Sequence, residues 1–586
     1  MRCDIIILMY TFQGYFKRYK VQTFLGPFFK LLEAILELLN PVLMARVIDV
    51  GIKNGDKPYI LKYLAIILVC NILGFGCAVI CQKCASYVSC NVATNIRNDM
   101  YEKINDFSHK EIDGFGTSSL VTRLTNDVYR VRSLISMLIR VVARTPCLLI
   151  GSLILSIFIN AKLSLIFCVV LPIIIASLVV FTKKTMPYYK KLRDKLDTVA
   201  KITRENLNGA RVIRAFNHQD EETKRFSFAN KDFTNDSITV SKITSLLNPF
   251  IFLIVDFAII AALYFGGIEV NAGNLTQGEL IAFCEYFGTI SLALIQISRI
   301  YVNIVNSSAS WHRISAVLNK EVSIEYKTEP VQVVHRKNKP VMEFKNVGFS
   351  YDIQEQDVDR LLIKNLSFKI MPNSTIGIIG PTGSGKSTIV NLMARFYDCN
   401  LGNVELFGKN IKDYPQSQLR QIVAITQQRS DLFSGSLKEN MQLRDKNASN
   451  REIIKALKIA QAWEFVERWP NKLDYQIMAG GKNVSGGQKQ RLTIARSLVG
   501  KPELLILDDS ASALDFLTDL NLRKALKKEM KCACVLVSQR VSTIKNADLI
   551  IVMEHGNVVG MGKHSELIRS CPLYKETYKS QTQKEE

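Results

Sequence analysis

The sequence predicts an all-α six-span transmembrane domain with long cytoplasmic helices, followed by an α/β domain. Two observations predict this order. Apolar stretches of about 20 residues, the length that crosses a bilayer, recur through the first ~300 positions. After about residue 320 the chain changes to short β-branched runs that alternate with helical stretches and turns. An α/β domain of about 240 residues is therefore expected to follow the membrane domain.

Composition supports this division. Mean hydropathy is +0.11 although 22% of the 586 residues are charged, so the apolar residues must be concentrated in part of the chain. This excludes a disordered chain, a collagen-like chain and a small secreted scaffold. The 13 cysteines are scattered, many of them in apolar stretches, and do not form a disulfide framework.

Six apolar stretches are predicted as membrane spans. They are 21–47, 59–82, 134–160, 162–182, 244–268 and 276–300. The clearest, 163–181, carries no charge. No signal-peptide pattern precedes the first span, so the start of the chain is expected to be retained and cytoplasmic.

The distribution of Lys and Arg predicts the orientation of the spans. The long segments after the second and fourth spans are rich in basic residues, whereas the short turns after the first and fifth are not, so the long segments are expected to be cytoplasmic. They are predicted to be helices that leave the membrane and return, interrupted by short transverse elements near 113–116 and after Gly209. The net charge of +22 is attributed to a cytoplasmic face near anionic lipid, with no nucleic-acid partner.

A glycine-rich loop identifies the second domain as an α/β P-loop nucleotide-binding domain. A predicted buried strand, 375–379, is followed by G-x-x-x-x-G-K-S and the start of a helix. The loop consists of Gly380, Pro381, Thr382, Gly383, Ser384, Gly385, Lys386, Ser387 and Thr388. Backbone N–H groups of such a loop surround phosphates. Lys386 is expected to reach the β- and γ-phosphates of ATP, and the Ser387 hydroxyl to bind Mg²⁺.

A second predicted strand, 504–508, ends in a carboxylate. In a P-loop enzyme this residue, here Asp508, is expected to hold the Mg²⁺ site. Between the two strands, a Ser-Gly-Gly sequence at a predicted helix start is a candidate for a second phosphate cradle, although in isolation it would be only a turn. With its flanks, it comprises Val484, Ser485, Gly486, Gly487 and Gln488.

With these motifs the chain resembles the ATP-binding-cassette exporters over nearly its whole length. Segment 484–488 is similar to the family's signature motif, and segments 119–128 and 211–216 to its cytoplasmic loops. Tyr351 resembles the aromatic residue that stacks on adenine. Gln428 resembles the Q-loop glutamine, a catalytic residue and Mg²⁺ ligand, with Gln427 as the alternative. The residues similar to the D-loop are Ser512, Ala513, Leu514 and Asp515.

The resemblance implies a half-transporter that must dimerise, with each ATP held between one subunit's P-loop and the other's signature motif. Two catalytic positions depart from the family pattern: Asp509 stands where Glu usually orients the attacking water, and Gln539 where a histidine senses the γ-phosphate. A carboxylate is also absent before the signature region, at Ala479. The pattern resembles the degenerate-site subunit of a heterodimeric exporter. A homodimer with Asp509 as a slow base is the alternative.

Ionisable residues inside predicted spans are candidates for lining a substrate cavity. The candidates are Glu33, Glu37, Asp256 and Glu285, with Arg144 as the obvious counter-charge. A cavity lined by acids favours cationic amphiphiles, the drug class that the resemblance suggests. The alternatives are that these acids pair with Arg144 or face water, and that the protein exports lipid or peptide or is a regulatory subunit without turnover.

The predicted domains are a transmembrane domain at 1–320, a linker at 321–340, an ATP-binding cassette domain at 341–578 and a polar tail at 579–586. The expected partners are a second half-transporter, the lipid bilayer and a small-molecule substrate. The resemblance favours a bacterial plasma membrane, with the nucleotide domain in the cytoplasm.

Overall fold

The computed structural model describes residues 14–333, 339–351, 361–510 and 514–582. The chain divides into two compact units. The first comprises the residues up to Asn105 and Gly116–Lys320, and the second comprises Asp106–Phe115 and Glu321–Glu586. A ten-residue piece of the first predicted cytoplasmic segment therefore belongs to the second unit.

All regular secondary-structure elements described in the first unit are helices. Its helices are α1 (Lys20–Arg46), α2 (Lys57–Asp106), α4 (Thr117–Thr122), α5 (Val128–Met137), α6 (Arg144–Ile159), α7 (Leu165–Asn208), α8 (Ala210–Ala215), α9 (Gln219–Ser245), α10 (Leu247–Asn271) and α11 (Gln277–Leu318), while α3 (His109–Phe115) belongs to the second unit. Helices α1, α4 and α5 each continue into a π-helical stretch, at Val47–Ile52, Arg123–Asp127 and Leu138–Val142. Short helices, α3 and α8, lie at the two predicted breaks.

Five stretches of the described chain are long and apolar enough to cross a membrane. They are Lys57–Asp106, Thr117–Ile159, Leu165–Asn208, Gln219–Asn271 and Gln277–Ile297. The predicted first span forms the 27-residue helix α1 but is not among them, because Lys30, Glu33 and Glu37 interrupt its apolar sequence. The predicted number of six spans therefore exceeds the five that the structure supports by length and composition.

Apolar contacts hold the helices of the first unit together, and two clusters of described residues illustrate them. The larger joins α7, α10 and α11, where the rings of Phe167 and Phe287 stack with centroids 4.0 Å apart. The smaller joins α1, α6 and α11, and in it the hydroxyl of buried Tyr286 donates to the Leu38 carbonyl at 2.8 Å. Many large apolar side chains on the other helix faces are exposed, for example Phe158 and Phe257. This is the surface that a membrane-spanning bundle offers to lipid.

The second unit is an α/β domain. Its strands are β1 (Met342–Phe349), β2 (Ile363–Ile370), β3 (Thr375–Ile379), β4 (Leu401–Leu406), β5 (Lys409–Asn410), β6 (Val423–Thr426), β7 (Gly435–Ser436), β8 (Gln476–Ile477), β9 (Leu504–Asp508), β10 (Ala533–Val537), β11 (Leu549–Glu554) and β12 (Asn557–Gly562). Its described α-helices, apart from α3, are α12 (Lys386–Met393), α13 (Gln416–Ile422), α14 (Leu437–Gln442), α15 (Asn450–Ile459), α16 (Trp463–Val466), α17 (Gly486–Leu498), α18 (Phe516–Glu529), α19 (Val541–Ile544), α20 (His564–Ser570) and α21 (Pro572–Thr582).

The central sheet has the strand order β12-β11-β3-β10-β9-β6, with β12 antiparallel at one edge and the other strands parallel. A smaller antiparallel sheet has the order β2-β1-β4-β5. Along β9, Leu504 and Ile506 point into one core and Leu505 and Leu507 into the other. Both faces of the strand are covered, which explains its uninterrupted apolar sequence.

The piece 106–115 and the predicted linker both pack on the second unit. Helix α3 stacks the ring of His109 on Phe396, with centroids 4.2 Å apart. In the linker, the hydroxyl of Tyr326 donates to the Arg395 carbonyl at 3.2 Å and its ring lies under the Arg395 guanidinium. The described part of the linker therefore packs against the second unit.

Candidate functional site

The sheet register brings the separate motifs to one edge of the second unit. In β10, Val537 pairs with Ile378 of β3 on one side and with Asp508 of β9 on the other. The glycine loop follows β3. Asp508 ends β9 and Asp509 comes directly after it, while Gln539 follows β10. Because the carboxyl ends of parallel strands meet at one edge, this is where an open α/β sheet binds ligands.

The glycine loop has the backbone that a phosphate cradle requires. Gly385 has φ +99° and caps the start of α12, a conformation that favours glycine. At Gly380 an added Cβ would lie 2.2 Å from the Met553 carbonyl oxygen, so the loop fits against β11 only without a side chain. Thr382, Gly383 and Ser387 are exposed, which leaves the concave side open.

Lys386 lies across this loop. Its ammonium donates to the carbonyl oxygens of Gly380 and Pro381 at 2.8 and 2.7 Å. Burial lowers the pKa of Lys386, while the nearby carboxylates of Asp509 and Asp508 oppose that shift. The loop's own carbonyls thus hold the cation at the place where the sequence predicts phosphate contact.

Asp508 and Asp509 are neighbouring carboxylates in a half-buried position. Burial, and secondarily the charge of Asp509, raise the pKa of Asp508 to about 6 against the opposing charge of Lys386. Burial also raises the pKa of Asp509, opposed by Lys386 and Arg540. Two carboxylates and the exposed Ser387 hydroxyl are the oxygen donors that Mg²⁺ prefers. The donor set at this edge therefore fits a Mg²⁺–nucleotide complex.

We expect Mg²⁺-dependent ATP binding to weaken as pH falls through 6. The carboxyl of Asp508 is charged above its pKa of about 6 and neutral below it, so between pH 7.5 and 5.5 its ionised fraction falls about fourfold. Equilibrium binding of a fluorescent ATP analogue to the purified chain, with and without Mg²⁺, measures this. Asp508→Asn, which cannot titrate, is the control, and an equal pH dependence in that variant would contradict the assignment.

Asp509 lies in a constrained turn. It has φ +43°, its N–H donates to the Val537 carbonyl at 2.9 Å, and its own carbonyl accepts a hydrogen bond from Gln490 at 3.5 Å. Gln490 lies on α17, two residues after the predicted signature segment 484–488. The backbone that carries the predicted catalytic carboxylate is therefore fixed from two sides.

Gln539 lies in the turn that follows β10, and the C-terminal helix holds that turn. The amide of Gln581 donates to the Gln539 carbonyl at 2.8 Å and accepts from the Val541 N–H at 2.8 Å. Gln581 belongs to the segment predicted as a polar tail, of which 579–582 continue helix α21 and 583–586 lie outside the described residues. A polar, aperiodic end of chain gives no signal of this role.

Tyr351, predicted to stack on adenine, lies beside the glycine loop. Its hydroxyl is 3.3 Å from the hydroxyl of Thr388, and its ring packs edge-on against Tyr397. Tyr351 remains 41% exposed, so part of its side chain is accessible. Tyr397 donates a hydrogen bond to Asp113 of α3 at 3.1 Å. Sequence reasoning missed Tyr397, because its partner is distant in the chain.

The predicted signature residues form the start of α17. The Ser485 hydroxyl accepts from the Gln488 N–H, and the Gln488 side chain accepts from the Ser485 N–H at 3.0 Å, a reciprocal cap. Val484 is buried beneath the turn. Ser485 and Gly486 are exposed, and a Cβ added to Gly486 would meet nothing within 4 Å. The face that would meet a second nucleotide is open.

The remaining predicted residues of the second unit lie as follows. Gln427 and Gln428 come directly after β6, whose Thr426 pairs with Leu507 of β9, and both side chains are exposed. Asp515 caps α18 by accepting from the Thr518 N–H at 3.0 Å, and Leu514 is buried. Ser512 and Ala513 lie outside the described residues.

In the first unit, the four acids predicted to line a cavity have different surroundings. Glu33 pairs with Lys30 of the same helix at 2.7 Å, and Glu37 of α1 pairs with Arg144 of α6 at 2.7 Å. Asp256 and Glu285 are exposed. Of the four, Glu37 is the one that lines the cavity between α1, α6, α10 and α11.

Comparison with known proteins agrees with this arrangement. Residues 23–294 match the ABC transporter transmembrane region, and residues 363–512 match the family described as ABC transporter. The chain is 33% identical over 568 residues to the uncharacterized ABC transporter ATP-binding protein YfiB of Bacillus subtilis (strain 168). This match covers 97% of this chain and 98% of that protein. It is 30% identical over 563 residues to the uncharacterized ABC transporter ATP-binding protein MT1311 of Mycobacterium tuberculosis (strain CDC 1551 / Oshkosh), over 94% of each.

The fold is similar to the solved structure of a bacterial Atm1-family ABC exporter with ATP bound. The TM-score is 0.78 at 22% identity, over 97% of this chain and 98% of that one. A membrane-spanning helical unit and an α/β ATP-binding unit in one chain define a membrane transport ATPase. The chain belongs to the ABC transporter family, with the fold of an exporter half-transporter. It is an integral membrane protein whose ATPase activity is coupled to transport, and such exporters function as dimers.

Proposed function

We propose that this protein exports small amphiphilic molecules across a bacterial plasma membrane as the degenerate-site half of a heterodimer. The degenerate-site assignment rests on a contrast between two sets of residues at one edge of the central sheet. The glycine loop, Lys386 and Asp508 retain the groups that bind Mg-ATP, while Asp509 and Gln539 occupy the positions of the catalytic Glu and His. Binding without efficient hydrolysis is the chemistry that this set supports.

The residues have distinct roles in this proposal. Lys386 and the loop N–H groups hold the phosphates, Tyr351 stacks on adenine, and Ser387, Gln428 and Asp508 would hold Mg²⁺. Bound Mg²⁺ neutralises charge on the transferring phosphoryl group. Asp509 is one methylene shorter than Glu, and a misplacement of about 1 Å can cost ~10²-fold in rate. Gln539 can donate and accept hydrogen bonds but cannot carry charge.

The signature segment 484–488 serves the partner in this proposal. Its exposed cap would complete the partner's ATP site, where hydrolysis occurs. ATP binding draws the two nucleotide domains together and turns the cavity outward, and hydrolysis at the partner's site allows the domains to separate. The two cytoplasmic segments with α3 and α8 carry this movement to the membrane helices.

The experiment that tests this function measures Mg-ATP turnover and subunit mass of the purified chain in detergent. We expect tight ATP binding, negligible turnover and no stable homodimer. Adding a second half-transporter with Glu and His at the matching positions should restore hydrolysis. A stable homodimer with rapid turnover would overturn the heterodimer and make Asp509 a competent base. A mixed dimer that binds ATP but never hydrolyses it would favour a regulatory subunit.

A further inference from the structure

The first unit contains a polar cavity of about 280 Å³ among α1, α6, α10 and α11. Its charged lining residues are Glu37, Arg144 and Arg299, and its uncharged polar ones include Asn248. By the predicted topology, Arg144, Asn248 and Arg299 lie toward the cytoplasmic ends of their helices. This is the side from which an exporter takes up its cargo.

The acid of this cavity is already neutralised. Arg144 donates to both carboxylate oxygens of Glu37, at 2.9 and 2.7 Å. The Nε of Arg144 is buried and has no hydrogen-bond partner among the described residues. Arg299 is exposed to the cavity. Two cations and one anion leave the lining with one excess positive charge and an unused donor.

The helix turns before Glu37 and Arg144 also carry charged residues. Lys30 and Glu33 of α1 form a closed ion pair at 2.7 Å. Arg140 donates to the uncharged Gln82 side chain at 2.9 Å and has no carboxylate in that contact. One turn beyond the lining residues Phe252 and Thr289, the exposed acids Asp256 and Glu285 balance these basic residues, so the excess positive charge is confined to the cavity lining itself. Within the lining, the one acid is already paired with Arg144, so a cation entering the cavity would meet no unpaired acid.

Apolar side chains also line the cavity. Phe252 of α10 and Leu292 of α11 line it and are 50% and 58% exposed. An arginine guanidinium presents several donors in a planar fork that matches carboxylate, phosphate or sulfate oxygens. A ligand with one anionic head and an apolar body would thus satisfy both the arginines and the apolar side chains of the lining.

We propose that the cavity binds an anionic amphiphile, with its head group on Arg144 and Arg299 and its apolar part against Phe252 and Leu292. The inference rests on the proposed export function, whose cargo it specifies. The ligand is either a free organic anion or an anionic lipid, since both carry this chemistry. On this proposal the cargo is anionic, whereas the acids alone suggested a cationic cargo.

The test is binding to the full chain in neutral-lipid nanodiscs without ATP. The probes are a dansyl-labelled medium-chain fatty acid, its neutral amide and its amine analogue, with empty nanodiscs as background. We expect the anion to bind about tenfold more tightly than the amide. Arg299→Gln should remove most of this preference, and Glu37→Gln, which frees Arg144, should raise anion affinity roughly threefold. Arg193→Gln, an exposed arginine of α7 outside the cavity lining, is the matched control.

Tighter binding of the amine, or equal binding of all three probes, would overturn the inference. An anion preference unchanged in both Arg299→Gln and Arg144→Gln would overturn the site. Competition by anionic lipid added to the nanodiscs identifies lipid as the ligand source, and its absence identifies a free anion. The proposed export function fails separately: if ATP-driven transport is absent while the anion preference and its loss in Arg299→Gln persist, only the export function is overturned.

Discussion

Replacing Asp509 with Glu and Gln539 with His together should raise ATP turnover at this chain's own site by about 10²-fold. The backbone of Asp509 is held by the Val537 carbonyl and by Gln490, so the added methylene should extend the carboxylate toward the phosphates without moving the turn. The Gln539 turn is held by Gln581 in the same way. The substitutions should therefore change the chemistry and leave the scaffold in place.

The measurement is phosphate release by the assembled dimer, with the partner's own catalytic Glu replaced by Gln so that only this site can turn over. Asp509→Asn with Gln539→His is the matched control, which supplies the histidine but no base. Turnover unchanged by Glu and His together would show that the slow site has another cause, and the degenerate-site proposal would fall.

Lys386→Met should weaken ATP binding by about 10²-fold. A hydrogen bond to a charged group contributes about 1.5–3 kcal/mol, and Lys386 is the cation that the Gly380 and Pro381 carbonyls hold inside the loop. Methionine keeps the length and apolar stem of lysine and removes only the ammonium. Because burial already disfavours the charged lysine, the substitution should not destabilise the domain strongly.

Titration with a fluorescent ATP analogue measures the affinity, and a melting curve without nucleotide shows that the variant is folded. Lys409→Met, an exposed lysine of β5, should bind as the wild type does. Wild-type affinity in Lys386→Met would mean that the loop does not bind phosphate through this side chain.

Local sequence patterns predicted most of the second unit's site. The glycine loop, the apolar strand before Asp508 and the Ser485 cap each follow from a few adjacent residues, whose backbone geometry is set by glycine freedom, continuous burial or reciprocal capping. Strand order then brings them together, because parallel strands share an edge. Their catalytic roles remain predictions for the experiments above.

Contacts between distant residues could not be predicted in the same way. Tyr397 meets Asp113 across 284 positions, and Gln581 meets the Gln539 turn from a segment that looked like a polar tail. Glu37 and Arg144 are 107 positions apart; the sequence offered Arg144 as a counter-charge for the acids, but only the packing of α1 on α6 shows that Glu37 is the acid it pairs with. Glu37, together with Lys30 and Glu33, explains why α1, expected to be the first span, is not among the five apolar stretches.

Helix α3 belongs to the second unit but precedes most of the membrane helices in the sequence, which affects how the second unit is synthesised. Residues 106–115 leave the ribosome some two hundred residues before the rest of the domain on which they pack. Until Phe396 and Tyr397 have been synthesised, His109 cannot stack on Phe396 and Asp113 cannot accept the hydrogen bond of Tyr397. The domain is therefore discontinuous in the order of translation, and it closes only after the intervening membrane helices have been made. A fragment beginning at the linker would be missing its own helix and would expose the two aromatic rings to water.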